Sequence, residues 1–238
     1  MSNFNPDSVF IIGVGGTGGH IAPPLTRLIQ YHPNTANAKV FFIDGDEFEE
    51  KNMTRQIVGD SQVGLNKARA MVDTCAQQGL TNNIECVEDY VTAANFSPML
   101  RRANRPLVVC SVDNDSTRKD IIEAIQDNCN GDFFFITPGN SDGTEDVRGQ
   151  TLYWGRVNGE TVGLNPMDVY PNIENPQDAI PRKGSCANLA PSRPQLISAN
   201  FFAAAITLSV IQNLLDGVLN FKTSSMFFNL RNLKTSII

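Results

Sequence analysis

The sequence predicts an α/β fold: a mostly parallel sheet with helices on both faces, followed by a smaller antiparallel portion and a long crossover loop. Three observations predict it. Strand-like runs alternate with helical segments from residue 8 to residue 139. The runs are apolar almost throughout, which suits parallel strands covered on both sides. The first run ends in the glycine-rich turn of FIIGVGGTGGHIA (10–22), which leads into a helix.

Each element has its own signal. SVFIIG (8–13) reads as the first strand and HIAPPLTRLIQYH (20–32) as the following helix. Pro23 and Pro24 fit there if they fall in its first turn, where an N–H has no intrahelical partner. KVFFID (39–44) is a short apolar strand ending in a carboxylate. NKARAMVDTCAQQG (66–79) is a helix closed by Gly79. NIECVED (83–89), PLVVCSVDN (106–114) and GDFFFITPG (131–139) read as strands three to five. NFSPMLRRA (95–103) and DSTRKDIIEAIQDN (115–128) read as helices, the second with Asp115 or Ser116 as its cap. Gly13, Asp44 and Asp113 then share the carboxyl edge of the sheet, where ligands of such sheets bind.

After residue 140 the texture changes. Residues 141–163 suggest short antiparallel strands with glycine turns, and 164–195 form a Pro- and Asn-rich stretch without periodicity. QLISANFFAAAITLSVIQNLLDG (195–217) predicts a long apolar helix. Gln195, Asn200, Gln212 and Asn213 interrupt it, so a buried helix, in the core or at a dimer interface, is preferred to a membrane span. SSMFFNLRNLKTSII (224–238) contains at least one late strand, expected at a sheet edge.

Composition excludes several classes. The chain has 238 residues, 19 basic and 25 acidic, for a net charge of -6. That balance argues against nonspecific nucleic-acid binding, and RRANR (101–105) reads as a solvated helix end. No charged leader precedes an apolar segment, so a cytoplasmic chain without membrane association is expected. The five cysteines form no CxxC pair and there are two histidines, so neither structural zinc nor a disulfide framework is expected.

The glycine turn carries the first chemistry. Backbone N–H groups in such a loop reach phosphate oxygens, aided by the positive end of the helix. Gly13, Gly15 and Gly18 match G-x-G-x-x-G, with Gly16 between them, and make the sheet Rossmann-like. Asp44 at the end of strand two suits a ribose. No Lys follows the glycines, so this is not a P-loop. NAD, FAD and ATP remain open at this point.

FFIDGDEFEEKNMTRQIVGDSQVGLNKARA (41–70) narrows the choice. Asn52, Arg55 and Gln56 follow the acidic turn, and Lys67 comes later. A nicotinamide site needs no such cations; reaction at an ATP phosphate does, because charge builds on the transferring oxygens. It also commonly needs a carboxylate for Mg²⁺, and Asp113 lies on the same edge. Asp46 is expected to face away from Asp44, since alternate residues of an extended chain diverge.

In this order, Gly13–Gly18, Asp44, Asn52 with Arg55-Gln56, Val63-Gly64 with Lys67-Ala68, and Asp113-Asn114 resemble the ThiF/MoeB/ubiquitin-activating E1 superfamily of adenylyltransferases over residues 8–139. The resemblance implies an ATP-binding adenylation half, residues 1–140, with 141–238 completing the same domain. It implies that Asp44 holds the ribose, that Asn52, Arg55 and Lys67 contact the ATP phosphates, that Gln56 supports the loop, and that Asp113 binds Mg²⁺. Arg55 and Lys67 would stabilise the transition state. The implied partner is a small ubiquitin-like or sulfur-carrier protein, whose C-terminal carboxylate is adenylated, and the implied assembly is a homodimer.

Three features bear on that reading. The paired CxxC motifs of many bacterial members are missing. With the first strand starting near residue 8, the N-terminal helix that can send an Arg into the partner's site is not expected here; Arg182, Lys183 and Arg193 are candidate replacements. Cys186, in PRKGSCANL, follows two cations, which favour a thiolate. The superfamily often places a thioester- or persulfide-forming cysteine in this region, so Cys186 is a candidate nucleophile beside a buried-thiol reading. Ser185-Cys186, Gln195-Leu196, Asn200 and Ala203-Ala204 are also similar to ThiF-type proteins of plasmid-associated PRTRC gene systems. The competing functions are a nucleotide-binding scaffold without activation chemistry and an NAD- or FAD-dependent oxidoreductase.

Overall fold

The computed structural model describes residues 3–81, 83–140, 147–178 and 196–237. A sheet of nine strands organises them, in the order β3-β2-β1-β4-β5-β6-β8-β9, with β7 also paired to β6. β1 (Ser8–Ile12), β2 (Lys39–Ile43), β3 (Ile84–Val87), β4 (Pro106–Cys110) and β5 (Phe133–Asn140) run parallel. β6 (Arg148–Val157), β7 (Glu160–Gly163), β8 (Ser225–Asn229) and β9 (Lys234–Ile237) pair antiparallel. Strands from both halves of the chain thus share one sheet.

The strand order reverses between β1 and β4. From β1 the chain steps outward to β2 and β3, then returns to the other side for β4 and β5. This leaves a crevice beyond the carboxyl ends of β1 and β4, where connections diverge. All residues of β1 and β4 are buried, which explains their unbroken apolar sequences.

Alternate side chains of the strands build two cores. Val9 and Ile11 face α1 (Gly16–Tyr31), α2 (Lys67–Gln77) and α7 (Ile197–Leu215), meeting Ile21, Leu25, Met71 and Ile211. Phe10 and Ile12 face α3 (Ala93–Leu100) and α4 (Asp115–Asn128), meeting Phe96, Ile121 and Ile125. Phe10 stands edge-on to Phe96, with ring centroids 5.3 Å apart.

Several elements differ from the sequence expectation. α1 starts at Gly16 rather than His20, because the last loop glycines already have helical backbone. Pro23 and Pro24 therefore lie inside the helix, not in its first turn. α4 is capped by Asn114, whose Oδ1 accepts the Thr117 N–H at 2.8 Å, and not by Asp115 or Ser116. The aperiodic stretch after residue 164 contains two short helices, α5 (Pro166–Val169) and α6 (Pro171–Glu174), each opened by a proline.

α7 is long and apolar enough, by length and composition, to cross a membrane. In the structure one side of it packs on α1, β5 and β6. The other side leaves Ile197 and Phe201 exposed.

Asp178 ties the α5–α6 segment to the sheet edge. Its carboxylate accepts the N–H groups of Asp115 (2.6 Å) and Ser116 (2.8 Å), and the Ser116 hydroxyl donates to it as well. Partial burial opposes the charge, but these donors and Arg118 hold the carboxyl below its usual pKa. Loss of this helix-end contact by Asp178→Ala should cost about 1 kcal/mol. Urea denaturation checks the cost, and faster proteolysis within 164–178 should accompany it.

Candidate nucleotide site

The site is built where β1 ends. Gly13 has φ +79°, and a Cβ on it would lie 2.9 Å from the carbonyl oxygen of Ser111. A Cβ on Gly18 would lie 1.8 Å from the carbonyl oxygen of Gly13. Neither position admits a side chain without moving backbone. The loop therefore folds tightly onto the start of β4's exit and delivers α1 into the crevice. No side chain caps α1 at Gly15, and its first turn holds no acidic residue. Its leading N–H groups are thus suited to an anion.

Asp44 braces this loop. Its Oδ2 accepts the Val14 N–H at 2.8 Å and its Oδ1 accepts the Asp46 N–H at 2.9 Å. The second contact is a local turn, so the chain is not extended beyond β2. Segment 46–48 then runs beside 64–67. Phe48 N–H meets the Leu65 carbonyl at 2.9 Å and Lys67 N–H meets the Asp46 carbonyl at 2.9 Å. Asp46 consequently faces Lys67 rather than away from the site, contrary to the alternation expected from sequence. Lys67 Nζ donates to Asp46 Oδ2 at 2.8 Å, and the Tyr90 hydroxyl donates to Asp46 Oδ1.

Asn66 locks the same corner. Its Oδ1 caps α2 through the N–H groups of Ala68 and Arg69, at 2.9 and 3.2 Å. Its Nδ2 donates to the carbonyls of Asp44 (2.9 Å) and Asp46 (3.1 Å). Lys67, the next residue, is only 8% exposed.

The charges here are mutually dependent. Burial pushes the Asp44 carboxyl up, against the pull of the Lys67 ammonium. Burial also disfavours the Asp46 charge, but Lys67 and Tyr90 more than offset it and hold that carboxyl low. Burial alone would lower Lys67; the fields of Asp44, Asp46 and Asp113 raise it instead. Asp113 itself is exposed, in the turn between β4 and α4.

The Asn52–Gln56 segment forms the opposite wall. Asn52 is buried, and its Oδ1 accepts the Glu49 N–H at 2.9 Å. Its carbonyl accepts the N–H groups of Arg55 and Gln56, at 3.0 and 2.9 Å. Asn52 therefore shapes the turn that presents Arg55, which is half-buried. The Gln56 amide lies on Gly15; a Cβ there would be 3.5 Å from Gln56 Nε2. Gln56 Oε1 and Ser111 Oγ are buried and make no hydrogen bond among the described residues. These are polar atoms left over beside the glycine loop.

Thus Gly13, Gly15, Gly16, Gly18, Asp44, Asn52, Arg55, Gln56, Lys67 and Asp113 gather around the carboxyl edge. Sequence reasoning missed Asn66, Tyr90 and Ser111, and turned Asp46 the wrong way. Asn66 was findable as an Asn before a helix; Tyr90 and Ser111 enter only through contacts remote in sequence.

Cys186, Arg182, Lys183 and Arg193 lie outside the described residues. Burial raises the thiols of Cys75, Cys86, Cys110 and Cys129, Cys75 and Cys129 to about 11, which suits inert rather than nucleophilic groups. Among the described residues no three His, Cys, Asp or Glu side chains form a metal cluster. Asp113 would offer one carboxylate oxygen donor of the kind that suits Mg²⁺.

A cavity of about 470 Å³ begins at Asp115, two residues beyond Asp113. The ends of β5 and β6, α4 and the α5–α6 segment enclose it, with Arg118, Asn140, Arg148, Gln150, Tyr170 and Ile173 in its wall. Tyr170 donates to the Gln150 side chain across it.

The model of the ThiF family matches residues 3–234. Ubiquitin-like modifier-activating enzyme 5 of Arabidopsis thaliana is 27% identical over 245 residues, which cover 95% of this chain and 51% of the relative. The chain thus spans about half the length of that relative. Among solved structures, PaaA superposes with TM-score 0.67 at 16% identity, covering 98% of this chain and 63% of PaaA. E. coli MccB solved with ATP superposes with TM-score 0.65 at 16% identity, covering 99% and 64%. Another structure of E. coli MccB, with AMPCPP and MccA, gives 0.63 at 15% identity, covering 98% and 63%.

Two predictions follow from the geometry. Gly18→Ala should cost at least about 2 kcal/mol, because the clash is with backbone; differential scanning calorimetry reads it. The stability supplied by Asp46 is present above the ordinary Asp pKa of about 3.9 and is lost as pH falls through its lower folded value. Asp44, pushed up, has the opposite sign: its contribution is lost as pH rises through its folded value. Asp46→Asn should therefore flatten the acid limb of a stability–pH curve measured by urea midpoints.

Proposed function

The chain belongs to the ThiF family, and from that premise we propose that it adenylates a carboxylate with ATP. The observation that carries this reading is Lys67, buried among the carboxylates of Asp44, Asp46 and Asp113, with Asp44 joined to the glycine loop through the Val14 N–H. A nicotinamide or flavin site has no use for that cation; an α-phosphate under attack does.

The roles are these. N–H groups of the glycine loop and first turn of α1 receive the phosphates. Asp44, already fixed by backbone donors, holds the ribose. Asn52 shapes the turn that aims Arg55, and Gln56 packs the loop from beneath. Arg55 and Lys67 take up charge on the phosphate oxygens as the acceptor's carboxylate oxygen bonds to the α-phosphorus. The bond to the bridging oxygen breaks and pyrophosphate leaves. Asp113 would hold Mg²⁺, which would offset negative charge on the phosphates.

The acceptor is a small ubiquitin-like or sulfur-carrier protein. The name of the Arabidopsis relative supports the first, and the cavity that begins at Asp115 offers a slot for a C-terminal tail. Cys186 then attacks the acyl carbonyl as thiolate and releases AMP, leaving a thioester; with a sulfur carrier, a Cys186 persulfide loaded beforehand by a persulfide donor attacks the same carbonyl through its outer sulfur, giving an acyl disulfide and AMP. The working form is a cytoplasmic homodimer.

ATP–pyrophosphate exchange with Mg²⁺ and ubiquitin-like proteins ending in a free glycine carboxylate tests this. Exchange should require the acceptor and fall about 100-fold or more in Arg55→Ala, Lys67→Ala and Asp113→Ala. A reducible adduct absent from Cys186→Ala would add the covalent step. ATP binding without exchange across the acceptor panel would favour a nucleotide-binding scaffold. Failure to bind ATP, with NAD or FAD bound instead, would overturn the reading.

A further inference from the structure

α7 carries no charged side chain, yet its fourth residue is a fully buried amide. Asn200 is 0% exposed. Its Oδ1 accepts two hydrogen bonds, from Thr17 Oγ1 at 3.1 Å and from Asn140 Nδ2 at 2.6 Å. Its own Nδ2 makes no hydrogen bond among the described residues. One oxygen atom therefore joins three elements: the glycine loop, the carboxyl end of β5 and the first turn of α7.

Neither helix propensity nor core packing calls for asparagine here. An apolar residue would fill the space without a buried, unused donor. The geometry of the loop supplies a reason. Residues 15, 16, 18 and 19 are all glycine, so Thr17 is the one side chain between Gly15 and Gly19 that a neighbour can grip. Glycine has the greatest backbone freedom to lose, and α1 has no side-chain cap of its own. The first turn of α1 would otherwise be held by backbone alone, at the point where its N–H groups must converge on an anion.

We propose that Asn200 is a positioning residue for the glycine loop: through Thr17 it sets the first turn of α1, and through Asn140 it references that turn to β5. It touches no substrate. The ligand that benefits is the nucleotide of the adenylation reading, on which this part of the inference rests. The long helix is then a clamp on the nucleotide loop as well as a core element.

Thr17→Val removes the gripped hydroxyl at nearly constant volume, and Thr17→Ser keeps it. Two measurements are made on each chain: amide hydrogen exchange over residues 15–19 without nucleotide, and the Kd for ATP with Mg²⁺ by calorimetry. Thr17→Val should speed exchange over 15–19 and weaken ATP binding, each by about tenfold, the worth of one hydrogen bond. Thr17→Ser should restore both. Asn200→Ala should reproduce the Val result, and the double variant should weaken ATP no further than either single one. A purely structural role would lower the melting temperature and leave exchange over 15–19 and the Kd, measured well below it, unchanged; that result overturns the proposal, as does equal loss in Thr17→Ser. If the wild-type chain binds no ATP, the adenylation reading falls, while the exchange comparison between Val and Ser still decides the role of Asn200.

Discussion

The ammonium of Lys67 among the carboxylates of Asp44, Asp46 and Asp113 is the interaction on which the site depends. A nearly buried cation at the first residue of a helix is doubly unfavourable. It is desolvated, and it sits at the positive end of the helix dipole. Only opposite charge at close range makes it tolerable. That charge comes from the end of β2, and it is held there by backbone donors, by Tyr90 and by Asn66. β2, the turn after it and α2 are therefore locked as one unit, and the cation is ready in the crevice.

The glycine loop has the opposite character. Only Val14, in the core, and Thr17 give it side chains to hold, and its usefulness to an anion lies in that bareness. The surrounding structure supplies what the loop lacks. Asp44 takes the Val14 N–H, the backbone at Ser111 closes over Gly13, Gln56 lies on Gly15, and Asn200 grips Thr17. Four different elements thus converge on seven residues. The helix end is held from outside, and no side chain caps it at Gly15.

The two faces of the sheet divide the work. α1, α2 and α7 pack on one face and carry the loop, Lys67 and Asn200. α3 and α4 pack on the other, and the cavity lies on that side, walled by the α5–α6 segment that Asp178 pins to α4. The glycine loop closes β1 and the cavity opens at the ends of β5 and β6, both on the carboxyl edge of the parallel strands.

Much of this was legible in the chain alone. Unbroken apolar runs such as SVFII and PLVVC identified buried parallel strands, since a strand covered on both faces has no polar side to show. The glycine spacing and the cations at 55 and 67 pointed to phosphate chemistry, and the structure gathers those residues at the carboxyl edge of the sheet. Asp46 was misread, since alternation holds only for extended chain and the Asp44 side chain turns the backbone at once. The prolines of α1 and the cap of α4 were misplaced by a few residues, because helix boundaries depend on contacts that local pattern does not contain. Asn200 stood out only as a polar interruption of an apolar helix. Its meaning came from Thr17 and Asn140, 183 and 60 residues away in sequence. Sequence by itself determined the fold class, because periodicity and residue chemistry are local properties. Tertiary structure alone decided which charges pair and which side chains brace the loop, because hydrogen bonds and ion pairs are set by distance in space.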